Sequence, residues 1–182
     1  MTDNRLVFEI IDEADVTAEL DTEIRTMLFE AFPDGRVSFA QTRHWHGSAP
    51  EYNVLCRIDG HIVGNTSIVV RDVVAGGQQV RIAGIQNLGV VPAQRGRNIG
   101  GAVLAVAMGE ARRRGIPFGM LFCVPQLERF YGANGWRTID LAVVMQYQGQ
   151  TCPIPGKNIG MVLKMTGRPF PAGDVDLRGA DW

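Results

Sequence analysis

Apolar positions along the chain switch between two periods. Leu6 to Ile11 predicts a first strand. Over residues 16–32, Leu20, Ile24, Met27, Leu28 and Phe32 take the spacing of one helix face. Pro33-Asp34-Gly35 ends that helix in a turn. Residues 36–50 are irregular and polar, with Trp45 and Pro50, and predict a short second helix or a loop. Tyr52 to Ile58 and His61 to Val70 read as strands joined at Asp59-Gly60, a strong hairpin signal. A second hairpin turns at Ala75-Gly76-Gly77 into a long strand from Gln79 to Val91.

A Gly- and Arg-rich turn then opens a helix through Arg114, with Ile99, Val103, Val106, Ala107 and Ala111 on its inner side. Arg112, Arg113 and Arg114 suit the negative end of the helix dipole, and Gly115 is the expected left-handed cap. PFGMLFCV reads as a buried central strand. A short helix over 126–134, strands at 136–147 and 158–165, and an extended tail complete the pattern. Hairpins followed by strand–helix–strand–helix–strand predict an α/β fold of the α+β type. Its sheet would be mixed, mostly antiparallel, of about seven strands, with helices on both faces. With no repeat or linker, residues 1–182 read as one domain.

Composition narrows the function. A formal net charge of −1 leaves no basic footprint for nucleic acid. No Lys/Arg cluster suggests a membrane surface, and no apolar run approaches the ~20 residues of a membrane-spanning helix. The opening MTDNRLVFEII lacks the basic-then-apolar order of a signal peptide. Three widely spaced cysteines without a C-x-x-C pair suit reduced thiols in a cytoplasmic protein. His44 and His46 lack the second ligand cluster that a metal site needs, so no metal is expected.

Residues 81–102, RIAGIQNLGVVPAQRGRNIGGA, run from a strand through the Gly/Arg turn into a helix. Successive backbone N–H groups at a positive helix end suit a pyrophosphate, and Arg95 and Arg97 add charge. The segment is neither a P-loop nor a G-x-G-x-x-G turn. Arg95-Gly96-Arg97-Asn98-Ile99-Gly100 resembles instead the [QR]-x-x-G-x-[GA] motif of the GNAT (GCN5-related) N-acetyltransferases. Asn98 stands where that family usually has Gly, and Asn tolerates left-handed backbone. The resemblance implies acetyl-CoA as co-substrate. Leu88, Gly89 and Val90 would pair with its pantetheine arm, and Arg95, Gly96, Arg97, Asn98, Ile99, Gly100 and Gly101 would cradle the pyrophosphate. Downstream, LERFYGANGWR resembles the family's F-Y-x-x-x-G-[FW] motif, which makes Tyr131 the general acid for the leaving thiolate. A phenol with a pKa near ~10 holds its proton at neutral pH.

Across the whole chain the closest likeness is to the aminoglycoside 2'-N-acetyltransferases and the nodulation N-acyltransferases. It rests on W-x-G-x-x-P-E from Trp45 to Glu51, on G-I-P-F-G from Gly115 to Gly119, and on the ending P-A-G-D-x-D-x-x-G-x-D-W. Both branches acylate a sugar amine, which implies a small amino-sugar acceptor, with aminoglycoside-type antibiotics and the atypical kasugamycin as candidates. Asp34, Glu51, Asp174, Asp176, Asp181 and the Trp182 carboxylate could hold its charge, with the Trp182 indole as a wall. The aminoglycoside enzymes carry a Glu base where this chain has Gln86, beside Asn87. Neither amide takes up a proton, so Gln86 and Asn87 would position the substrate. Glu51, His44, His46 or the Trp182 carboxylate would relay the proton, or the amine would arrive neutral. The resemblance also implies a homodimer formed through C-terminal strands. Two alternatives stand beside this reading: transfer to another small-molecule or peptide amine, and a silent CoA-binding domain.

Overall fold

A computed structural model describes residues 5–182. Strand β1 (Val7–Asp12) is followed by helix α1 (Ala18–Ala31), capped where the Thr17 side chain accepts the Leu20 N–H at 3.2 Å. Pro33–Gly35 forms a single 3₁₀ turn that runs on into the short α2 (Arg36–Gln41). Strands β2 (Tyr52–Ile58), β3 (His61–Ala75) and β4 (Gln78–Val90) form an antiparallel meander. Both expected hairpins are present, and β3 is longer than its sequence pattern suggests. Helix α3 (Ile99–Arg113) ends at Gly115, which takes the left-handed φ of 76° expected of a cap. Strand β5 (Phe118–Cys123) and helix α4 (Glu128–Ala133) follow.

The expected strand over 136–147 is broken. Its ends become β6 (Arg137–Thr138) and β7 (Val143–Tyr147), which lie in distant parts of the sheet because the chain crosses between them. Beyond β7, Gln148 and Gly149 take positive φ and turn the chain into β8 (Gln150–Pro153). Strand β9 (Ile159–Lys164) lies as expected, and the tail supplies β10 (Val175–Asp176), wedged between β3 and β7. Among the described residues the sheet therefore has ten strands rather than about seven, in the order β6-β9-β5-β4-β3-β10-β7-β8, with β1 and β2 on a branch from β3.

Helices cover both faces. A β-carbon on Gly64 of β3 would touch Ile99 and Val103 of α3, so this face carries α3. One on Gly89, directly opposite the neighbouring Asn65, would meet Phe32 and Ala31 at the end of α1. Alternation along the strand puts these two positions on opposite faces. A second apolar cluster (Val73, Ile82, Phe118, Met120, Val175, Leu177 and Trp182) fastens the tail to the far half of the sheet. No helix among the described residues is long and apolar enough to cross a membrane.

Candidate active site

The site begins where two neighbouring strands part. β4 and β5 pair in parallel only from Ile82 to Gly84, opposite Phe118 to Met120, although β4 continues to Val90 and β5 to Cys123. A bulge in β4 accompanies the divergence. Asn65 pairs with Gly89 and Ser67 with Gln86, so Thr66 faces two residues, and Asn87 takes a left-handed φ of 55°. A bulge bends its strand and increases the local twist. Flanking groups hold it: the Thr66 hydroxyl donates to Gln86 O at 3.1 Å, and the Asn87 amide donates to Arg43 O at 2.6 Å.

Beyond β4 the chain turns through Pro92–Gln94 to Gly96 (φ 80°) and Asn98 (φ 57°) before α3 starts. Asn98 thus occupies the left-handed position for which Asn is suited. Among the described residues, no backbone N–H from Gly96 to Gly101 has a hydrogen-bond partner. Six such donors at a helix N-terminus make an anion cradle. A β-carbon on Gly96 would meet nothing within 4 Å, so backbone there is open to close approach. Together, Leu88–Val90, Arg95, Gly96 and Asn98–Gly101 line a cavity of about 560 Å³, closed by Phe130 and Tyr131. Apolar walls, a strand edge freed from pairing and an N–H cradle fit the pantetheine and pyrophosphate of a CoA thioester.

The arginines differ from expectation. Arg95 ties the turn together, donating to Val90 O at 3.1 Å and to Ala31 O at 2.9 Å. Arg97 bonds the Gln94 side chain on the surface and does not border the cavity. The cradle is built mainly of backbone.

A second cavity of about 520 Å³ adjoins the first, and Phe32, Leu88, Leu127 and Tyr131 line both. Tyr131 is therefore at the junction. α4 holds it, its ring packs 5.0 Å from Phe130 and 6.1 Å from Trp136, and its hydroxyl has no partner among the described residues. Burial, with Cys123 nearby, holds that hydroxyl well above the ordinary phenol range, so it stays protonated at neutral pH.

Phe39, Trp45, Phe122 and Trp182 wall the second cavity, with Asp34 at an exposed rim and Asn87, Asn158 and Asp181 as further polar groups. Asp181 is buried and binds the imidazole of His46. The Trp182 indole does line the cavity, but it is also part of the second core cluster.

Four expected acceptor contacts have other partners. Glu51 lies away from the cavity, its carboxylate 3.1 Å from Arg114 and 3.9 Å from Arg81. Gln86 lines the second cavity but uses both ends of its amide within the protein, accepting from Trp45 N at 2.9 Å and donating to Ser48 O at 2.8 Å. His44 pairs with Glu13 at 3.0 Å, and Asp176 with Arg178 at 3.6 Å. Asp174 lines neither cavity. Arg71 was missed by sequence reasoning. It donates to Ala180 O at 2.6 Å and to the Ser48 hydroxyl at 3.1 Å, joining the tail to the 45–48 turn. The only signal was a charge inside an apolar strand.

Solved structures share this architecture. Escherichia coli ElaA superimposes with a TM-score of 0.64 at 14% identity, over 88% of this chain and 100% of that one. The Escherichia coli GNAT family N-acetyltransferase YhbS, in complex with CoA, gives 0.64 at 14% identity, over 96% and 90%. A Brucella melitensis GNAT family acetyltransferase in complex with acetyl-CoA gives 0.58 at 20% identity, over 93% and 94%. No curated protein matches significantly in sequence. The acetyltransferase (GNAT) domain profile matches residues 16–139, which span the bulge, the N–H cradle and Tyr131, and the chain belongs to that family.

Proposed function

We propose that the protein is an acetyl-CoA-dependent N-acetyltransferase acting on the primary amine of a small amino sugar. The supporting observation is the meeting of two cavities at Tyr131, one with a phosphate-type cradle and one with aromatic walls. The crystallised GNAT relatives holding CoA and acetyl-CoA support the choice of donor.

Acetyl-CoA supplies an acyl group activated as a thioester. The freed edge of β4 at Leu88–Val90 orients the donor, and the Gly96–Gly101 N–H groups bind its phosphates. Tyr131 Oη holds a proton at the junction. Its raised pKa makes it a weak donor at rest, but burial penalises a departing thiolate in the same way, so the transfer stays balanced. Phe32, Leu88 and Leu127, which line both cavities, give the junction an apolar wall.

On the acceptor side Trp45, 40% exposed, offers an aromatic surface for a sugar ring, and Asp34 and Asp181 offer carboxylates. Two carboxylates, one already engaged by His46, suit an acceptor with one or two ammonium groups better than a polycationic aminoglycoside. The aromatic lining also favours a second reading, an amine on an apolar ring. Calorimetry separates them: CoA-loaded protein should bind glucosamine or kasugamycin more tightly than phenylethylamine. The reverse order would replace the sugar by an apolar amine, and no CoA binding would remove the enzyme reading altogether.

A further inference from the structure

Gln86 of β4 holds a turn that carries an imidazole. Gln86 pins the turn at both ends, through Trp45 N and Ser48 O. The Ser48 hydroxyl donates to Asp181 O at 2.8 Å and accepts from Arg71. Inside this turn His46 takes a left-handed φ of 45°, a conformation unfavourable for a residue with a β-carbon. Its Nδ1 meets the carboxylate of Asp181, which is 2% exposed, and its ring lies 5.0 Å from Trp45 and 5.7 Å from Tyr147. Trp45 and Asp181, the neighbours that flank this imidazole, both line the acceptor cavity. Among the described residues Nε2 has no partner, and the His46 side chain is 33% exposed.

We propose that His46, oriented by Asp181, accepts the proton that the acceptor amine must lose. A buried carboxylate on Nδ1 fixes the tautomer whose Nε2 carries a lone pair, and it stabilises the imidazolium that forms. Other charged groups close by are Arg71, which packs on the Trp182 ring and faces Asp181, and the His44–Glu13 pair next along the chain. His46 itself lines neither cavity, so the substrate ammonium gives one proton to Nε2 through a bridging water, and the imidazolium passes it to solvent. The freed lone pair forms the C–N bond as the C–S bond breaks and its electron pair leaves with sulfur. Sulfur takes a proton from Tyr131 Oη, and the second proton shed by nitrogen restores the phenol. Each turnover thus releases one proton to solvent.

The inference rests on the amino-sugar reading for its substrate but not for its geometry. His46→Gly is the decisive variant: glycine relieves the left-handed strain, the Arg71 guanidinium still faces the Asp181 carboxylate, and circular dichroism checks that the variant is folded. With glucosamine as probe, kcat/KM should fall by roughly 10²–10⁴, CoA affinity should hold, and added imidazole should restore turnover. Nitrogen-15 NMR of the wild type should find the neutral His46 ring, assigned by its loss in the variant, protonated on Nδ1. Undiminished turnover by His46→Gly, or a proton on Nε2, would overturn the proposal. If the wild type ignores glucosamine, the amino-sugar reading fails and the NMR tautomer alone decides.

Discussion

Trp182 rests against Gly84 so closely that a β-carbon there would lie 2.3 Å from the indole Cε2. Gly84 is also the last β4 residue paired with β5. The missing side chain therefore seats the indole where the strands part, between Phe122 at 5.4 Å and the Arg71 guanidinium at 5.4 Å. Gly84→Ala should destabilise the protein by about 1–3 kcal/mol through overpacking. Urea unfolding measures the loss, and Trp182 fluorescence should report a displaced indole while CoA affinity persists. Unchanged stability and emission would mean that the indole has room to move.

Gly96→Val places a branched side chain where only left-handed backbone and open space exist. The strain is about 1–2 kcal/mol, too little to unfold a protein of ordinary stability. CoA affinity should nevertheless drop at least tenfold by calorimetry, because the backbone donors can no longer approach a phosphate closely. Arg97→Ala should matter much less, since Arg97 bonds Gln94 outside the cavity.

Gln86→Ala leaves the Trp45 N–H and the Ser48 carbonyl without partners, at a cost of about 1–3 kcal/mol. The acceptor KM should rise as the Trp45 wall loosens, with the CoA dissociation constant unchanged. A simple substrate contact at Gln86 would raise KM without lowering stability, and chemical denaturation separates the two.

Arg43, 5% exposed, binds Glu13 and Asp21 beneath the same loop. Burial raises both carboxyl pKa values, but hydrogen bonds from Asn53, Arg43 and His44 at Glu13, and from Arg43 and Arg25 at Asp21, outweigh it and leave them lowered. A lowered folded-state pKa contributes stability above the unfolded value, which is lost as pH falls through the folded one. Stability should therefore decline below about pH 4.5, and Arg43→Met should flatten that part of the urea-midpoint profile.

Strand and helix periods, with the Gly and Asp-Gly turns, exposed most of the fold, because local pattern determines it; of the motif residues Leu88–Val90 and Arg95–Gly101, all but Arg97 line the first cavity, while Ala31, Phe32 and Leu127 reach it from distant elements. Long-range events were hidden. The break between Thr138 and Val143 depends on a crossing to another part of the sheet, and β10 exists only through pairing with β3 and β7. The acceptor side was only partly legible: Asp34, Gln86, Asn87, Asp181 and Trp182 do reach the second cavity, whereas Glu51 is held by Arg114. That Gln86 also holds the 45–48 turn was hidden, because its partners, Trp45 and Ser48, lie some forty residues away in the chain.

Mass analysis of primary amines, glucosamine first among them, incubated with acetyl-CoA and either wild type or Tyr131→Phe tests the transfer and its proton donor together. The wild type should yield an N-acetylated product. The Phe variant should bind CoA normally and form product roughly 10²–10⁴ times more slowly. Equal rates from the two proteins, or no acetylated amine from the wild type, would contradict acetyl transfer at Tyr131.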